Sequence, residues 1–180
     1  MKILRNTCAA IASAVMLGTF LPAGSAHADA SVLGLEMGKS TVSELKNKFE
    51  VESQGINQWS RGEMYSIDTA GIPIDGIKNA LAIFNTDGKL DCVLLTIQKH
   101  RFDELSSSLQ KKYKVTKKVK PFVGDSYVHF KDGKTLIELD APHMSFAMTL
   151  IYMQEDFKKS FKTGVKAEED QKRQAESDVL

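Results

Sequence analysis

Apolar positions along this chain change their period several times, and each change marks an element. Ile77 to Phe84 and Leu90 to Ile97 are densely apolar runs, with Asp87-Gly88 between them. Asp-Gly flanked by apolar runs predicts a β-hairpin with a tight turn. In the second run Val93, Leu95 and Ile97 share one parity, and Leu90, Cys92 and Leu94 share the other. A strand apolar at both parities is covered on both sides, at least at its start. Phe102, Leu105, Leu109 and Tyr113 then recur at steps of three and four, which predicts an amphipathic helix. Asp103 and Glu104 open it, and Lys111 and Lys112 close it, complementing the helix dipole.

Upstream, Thr41 and Glu44 form a capping box ahead of Val42, Leu45 and Phe49, so a short helix is expected over about 41–50. Residues 51–76 are polar and irregular, with a strand expected over Glu63–Thr69 and a loop through Pro73, which cannot donate to a ladder. Downstream, Val115 and Val119 alternate with lysines in an expected edge strand that carries Lys117 on the same face. Ser126–Phe130 is expected to pair with Thr135–Leu139 across Asp132-Gly133, with Phe146–Met153 as a last strand and Glu155–Phe161 as a short terminal helix. The fold class is α+β: an antiparallel sheet with two or three short helices. Helix, strands and an Asp-Gly turn occur twice. The helices stand about 60 residues apart but the turns 45 apart (Asp87 to Asp132), an inexact echo read as a degenerate duplication.

The first 28 residues change the charge and the compartment. Lys2 and Arg5 precede an apolar run from Ala9 to Leu21, and Ala26-His27-Ala28 offers small residues for cleavage after Ala28. This is the pattern of a secretory signal peptide, its run too short for the roughly 20 residues of a membrane span. Residues 29–165 then read as a single α+β domain and 166–180 as a charged disordered tail. The whole chain has a formal charge of +1; without residues 1–28 it has 22 basic against 23 acidic residues. Near-neutrality gives no case for nucleic-acid binding. The expected location is the periplasm, or the medium if secreted, with no stable membrane span after signal removal. Cys8 leaves with the signal, and Cys92 alone cannot form an intrachain disulfide.

The stretch Gly34-Leu35-Glu36-Met37-Gly38-Lys39-Ser40-Thr41-Val42-Ser43-Glu44-Leu45 resembles small envelope proteins of two kinds: outer-membrane assembly lipoproteins of the small-protein-A type, and tandem-repeat β-lactamase inhibitor proteins. In both, a glycine-flanked segment runs into a short capped helix and a small antiparallel sheet follows. The resemblance covers about a dozen residues and the order of elements. It implies that architecture and a protein-binding surface, and assigns no functional residue. The lipoproteins carry a lipidated Cys at the mature start, where this chain has Asp29.

Candidate chemistry is sparse. The sequence has no Gly-x-Ser-x-Gly, His-Glu-x-x-His or Cys-x-x-Cys and no phosphate-cradling loop. Cys92 sits in an apolar run, where a buried inert thiol is the default, and His100 stands roughly 26 Å along an extended strand. His129, His143, Met144, Met148 and Met153 offer imidazole and thioether ligands that suit copper, although Met148 and Met153 point to opposite faces of a strand. Trp59 and Tyr65 in the irregular segment serve either as partner anchors or as caps on the core. The basic run from Lys111 to Lys120 suits edge protection, and its lysines, Lys114 and Lys118 among them, suit an acidic partner or anionic lipid headgroups. The reading that follows is an exported, non-enzymatic protein-binding factor of the cell envelope, with no metal or other cofactor. Its partner is another envelope or exported protein, met through Trp59, Tyr65, Lys114 and Lys118. The alternative is a periplasmic metal or small-ligand binder using the His and Met residues of the C-terminal strands.

Overall fold

A computed structural model describes residues 29–178; the expected signal segment, 1–28, lies outside them. A small hairpin, β1 (Ser31–Val32) and β2 (Leu35–Glu36), leads into helix α1 (Val42–Lys48). Four strands follow: β3 (Val51–Ile56), β4 (Arg61–Ile67), β5 (Ile77–Asn85) and β6 (Leu90–Gln98). Helix α2 (Phe102–Gln110) then precedes β7 (Lys114–Val119), β8 (Ser126–Asp132), β9 (Thr135–Ala141) and β10 (Ala147–Gln154), and α3 (Glu155–Ser177) closes the described chain.

The eight longer strands form one antiparallel sheet in the order β3-β4-β5-β6-β10-β9-β8-β7. The fold is therefore α+β, and it is built twice from one helix followed by four strands. The last strands of the two units, β6 and β10, meet at the centre with Leu94 opposite Ile151. Leu45 of α1 and Phe102 and Leu109 of α2 join one buried cluster on the same sheet face, as a two-fold axis normal to the sheet requires. Helices α1 and α2 begin 60 residues apart, at Val42 and Phe102. The two Asp-Gly turns are not equivalent. Asp87-Gly88 joins the third and fourth strands of its unit, whereas Asp132-Gly133 joins the second and third of the other. The echo in the sequence thus equates different hairpins, which is why its spacings disagree.

Local chemistry explains the first helix. Thr41 Oγ1 accepts from the Glu44 N–H at 3.3 Å, and Glu44 Oε2 accepts from the Thr41 N–H at 2.9 Å. This reciprocal cap satisfies two N-terminal donors of a helix too short to stand alone. Leu45, fully buried, ties α1 to the sheet.

Two of the sheet's irregularities in register overturn the parity read from the sequence. Ile83 faces Cys92 while Phe84 faces Leu90, so Asp91 is an extra residue and Leu90 joins the face of Val93 rather than that of Cys92. Likewise Val115 faces Phe130 and Lys117 faces His129, which makes Thr116 the extra residue and separates Lys117 from Val115. Strand β3 was not expected, because its residues Glu52 to Ile56 are all exposed and carry no apolar alternation. The terminal helix runs to Ser177, where a disordered tail was expected from residue 166. Residues 166–177 are almost all strong helix formers, Lys, Ala, Glu, Gln and Arg, and Asp170 pairs with Arg173 one turn on.

Candidate functional site

Helix α3 leaves β10 at Gln154 and lies against the second face of the sheet, the one that α1 and α2 leave free. An apolar island there draws it in. Ile83, Cys92 and Met153 form a small cluster with Phe157, and the partly exposed Met64, Leu81 and Ile151 pack around them. Two ion pairs fix the first turns of the helix: Lys131 to Glu155 at 2.6 Å, and Lys158 to Glu138. One turn beyond Phe157, Phe161 meets Trp59 edge-on, with ring centroids 4.7 Å apart and planes 73° apart.

Between helix and sheet an open cleft of about 550 Å³ remains. Its floor is Leu81, Ile83, Cys92, Leu94, Ile151 and Met153; Phe157 and Phe161 line one side, and Ile56 to Trp59 the other. The lining is almost wholly apolar, and it continues onto the surface through Ile56 (62 % exposed) and Phe161 (41 %).

The wall at Trp59 is set by its turn. Asn57 Oδ1 accepts from the backbone N–H of Trp59 and of Ser60, both at 2.9 Å, and the Asn57 N–H donates to Gly62 at 2.8 Å. Arg61 closes the turn in the left-handed region at φ 59°. The indole Nε1 is buried without a hydrogen-bond partner.

Cys92 forms part of the cleft floor. Burial first, then the charges of Asp91 and Glu138, push its thiol up to about 12, so it is protonated at neutral pH. Beyond Trp59 and Phe157 lies a second hollow of about 430 Å³, lined by polar groups including Asp91, Asp156, Lys39 and Lys134. Burial, and secondarily the charge of Asp156, raise the Asp91 carboxyl to about 6.

Farther along the same face, one ligand atom each from His129, Glu138 and Asp140 lies within 4.8 Å of the others. All three already have protein partners: His129 Nε2 is 2.9 Å from Asp140 Oδ1, and Lys158 holds Glu138. The methionines are elsewhere. Met144 is exposed in the loop after β9, Met148 is buried in the first-face cluster, and Met153 lies under Phe157. His143 stands in the same loop as Met144. The structure therefore does not assemble the His and Met set expected from the sequence.

The four expected partner-binding residues also separate. Trp59 reaches the cleft. Tyr65, 4 % exposed, is a core residue on the opposite face, edge-on to Phe84, so it is not a surface anchor. Lys114 pairs across the edge with Lys131 on the second face, whereas Lys118 sits opposite Val128 on the first and reaches Gln110 at 3.2 Å. Of the cleft residues missing from that set, Phe157 and Phe161 carried a signal in their i, i+4 spacing, and Leu94 in the double parity of β6.

No helix among the described residues is long and apolar enough to cross a membrane. No family model, no curated protein and no solved structure matches the chain.

Proposed function

We propose that this protein is an exported, non-enzymatic binding protein of the cell envelope whose cleft takes the hydrocarbon part of an amphiphile. The observation that carries the reading is the cleft itself. Its volume of about 550 Å³ falls within the range of about 300–1,000 Å³ typical of small-molecule sites. Its walls offer almost no hydrogen-bonding groups, so shape and apolar burial select the ligand. The polar hollow beyond Trp59 and Phe157, where Lys134 is the lysine without a carboxylate partner among the described residues, gives a polar head group a place outside the apolar part. The absence of a thiolate at Cys92 supports a binding role over thiol chemistry.

The test uses Trp59, the single tryptophan, as reporter. Titration with straight-chain fatty acids is expected to shift its emission saturably. Leu94→Trp, which fills the floor, should abolish ligand retention, measured by mass spectrometry of the extracted ligand. A flat titration for short, medium and long chains alike would refute the reading.

A second reading keeps the exported protein partner. The exposed rim residues Ile56 and Phe161 suit an apolar side chain of such a partner. A partner captured from periplasmic extract by the wild type and lost with Ile56→Asp, with no fatty-acid response, would favour it.

A further inference from the structure

The end of the sheet farthest from the Asp87-Gly88 turn carries a different feature. Phe122 and Val123, in the loop between β7 and β8, are 105 % and 66 % exposed; Met144 and Phe146, between β9 and β10, are each 91 % exposed. Four exposed apolar side chains at one end of a molecule, three of them with almost no protein contact, are unusual for a surface that meets only water.

The two loops are braced. The His143 N–H donates to Asp125 Oδ1 at 2.7 Å, the Lys99 N–H donates to Phe146 O at 2.9 Å, and Lys99 Nζ reaches His143 O at 3.0 Å. Pro121 and Pro142 stiffen them further. The backbone that carries Met144 and Phe146 is thus held in place, tied to the neighbouring loop through Asp125.

Beside Phe146 lies an open hollow of about 470 Å³, lined by Lys78, Gln98, Lys99, His100 and Ser145, with more apolar than polar surface exposed in it. Neighbouring cations are neutralised: Arg101 by Asp75 and Glu104, and Lys120 by Asp103. Lys78 and Lys99 have no carboxylate partner among the described residues. The carboxylate of Asp125 is also at this end, with one oxygen engaged by His143.

We propose that this loop end docks on an anionic phospholipid surface. Phe122, Val123, Met144 and Phe146 enter the acyl boundary, and the Lys78–Lys99 hollow receives a lipid phosphate. Exposed apolar tips next to Lys78, which has no carboxylate partner among the described residues, and Lys99, whose ammonium meets only backbone carbonyls, match the two layers of an anionic bilayer surface. Two cations without a carboxylate partner beside four exposed apolar side chains complement the charge of an anionic bilayer rather than that of a neutral one. This surface stands apart from the cleft, which lies toward the other end of the central strands.

The test is co-sedimentation of the full chain with vesicles of phosphatidylglycerol and phosphatidylcholine, beside vesicles of phosphatidylcholine alone. The wild type is expected to pellet with the anionic vesicles and to be released by salt. Phe122→Ser/Phe146→Ser and, separately, Lys78→Glu should each lower partitioning about tenfold, with unchanged thermal melting. Wild type left in the supernatant, equal binding to both vesicle types, or a double variant that pellets like the wild type (binding through another segment) would each overturn the proposal. So would a soluble protein partner whose capture depends on Phe122 and Phe146 while vesicles are ignored.

Discussion

Gly164 of α3 faces the edge of the Trp59 indole: a Cβ built at Gly164 would stand 2.4 Å from Trp59 Cδ1 and 2.6 Å from Nε1. A glycine within a helix normally costs about 0.5–1 kcal/mol relative to alanine. Here the close approach of the ring outweighs that term, since overpacking costs typically about 1–3 kcal/mol. Gly164→Ala should therefore loosen the outer part of α3 rather than stabilise it, red-shift Trp59 emission and weaken any cleft ligand. Unchanged emission with a higher melting temperature would show that the contact does not constrain the helix.

The first helix depends on two unequal supports. Leu45→Ala removes its one fully buried side chain and should cost about 2–5 kcal/mol. Thr41→Ala removes half of the capping box and should cost about 1 kcal/mol. Urea unfolding should rank the two variants in that order. The reverse order would mean that α1 is held by its cap rather than by packing.

Asp91 gives stability a pH dependence. Its folded value of about 6 lies above the ordinary 3.8. At low pH both folded and unfolded chains hold the proton and Asp91 costs nothing. As pH rises from about 4 to 6 the unfolded chain releases it first, so stability falls and stays lower above that window. Asp91→Asn should leave stability unchanged near pH 3.5 and raise it at pH 7. The gain should be about 1–2 kcal/mol once screening at this partly exposed site is allowed for. Parallel pH profiles for wild type and variant would contradict this assignment.

The outer part of α3 should be separable from the rest. From Lys166 on, the described side chains are exposed, so this stretch rests on propensity and exposed pairs. Ending the chain after Val165 should change unfolding free energy by less than about 0.5 kcal/mol, and amides beyond 166 should exchange fastest of the helix. Strong protection there would require a contact that the structure does not contain.

Much of the fold was legible because its signals are local. The Thr41/Glu44 box, the Asp87-Gly88 turn and the three-and-four spacing from Phe102 each fix backbone within a few residues. The double apolar parity of β6 correctly required cover on both faces, and α3 supplies it over Cys92. Bulges at Asp91 and Thr116 were not legible. One inserted residue reverses every later side chain, and only the partner strand reveals the insertion.

The sequence by itself determined the α+β class, the central hairpin and the helix after it. These follow from periodicity, caps and turns, whose causes lie within one segment. The true two-fold repeat, one helix and four strands in each half, appeared only in the strand order. Tertiary structure decided which units meet, and hence the cleft: Trp59, Leu94 and Ile151 lie far apart in the chain and become neighbours only when β6 pairs with β10 and α3, with Phe161, folds over that seam. It also placed Tyr65 in the core and Lys114 and Lys118 on opposite faces. Side-chain type is written residue by residue, but a surface is defined only by strand order and register.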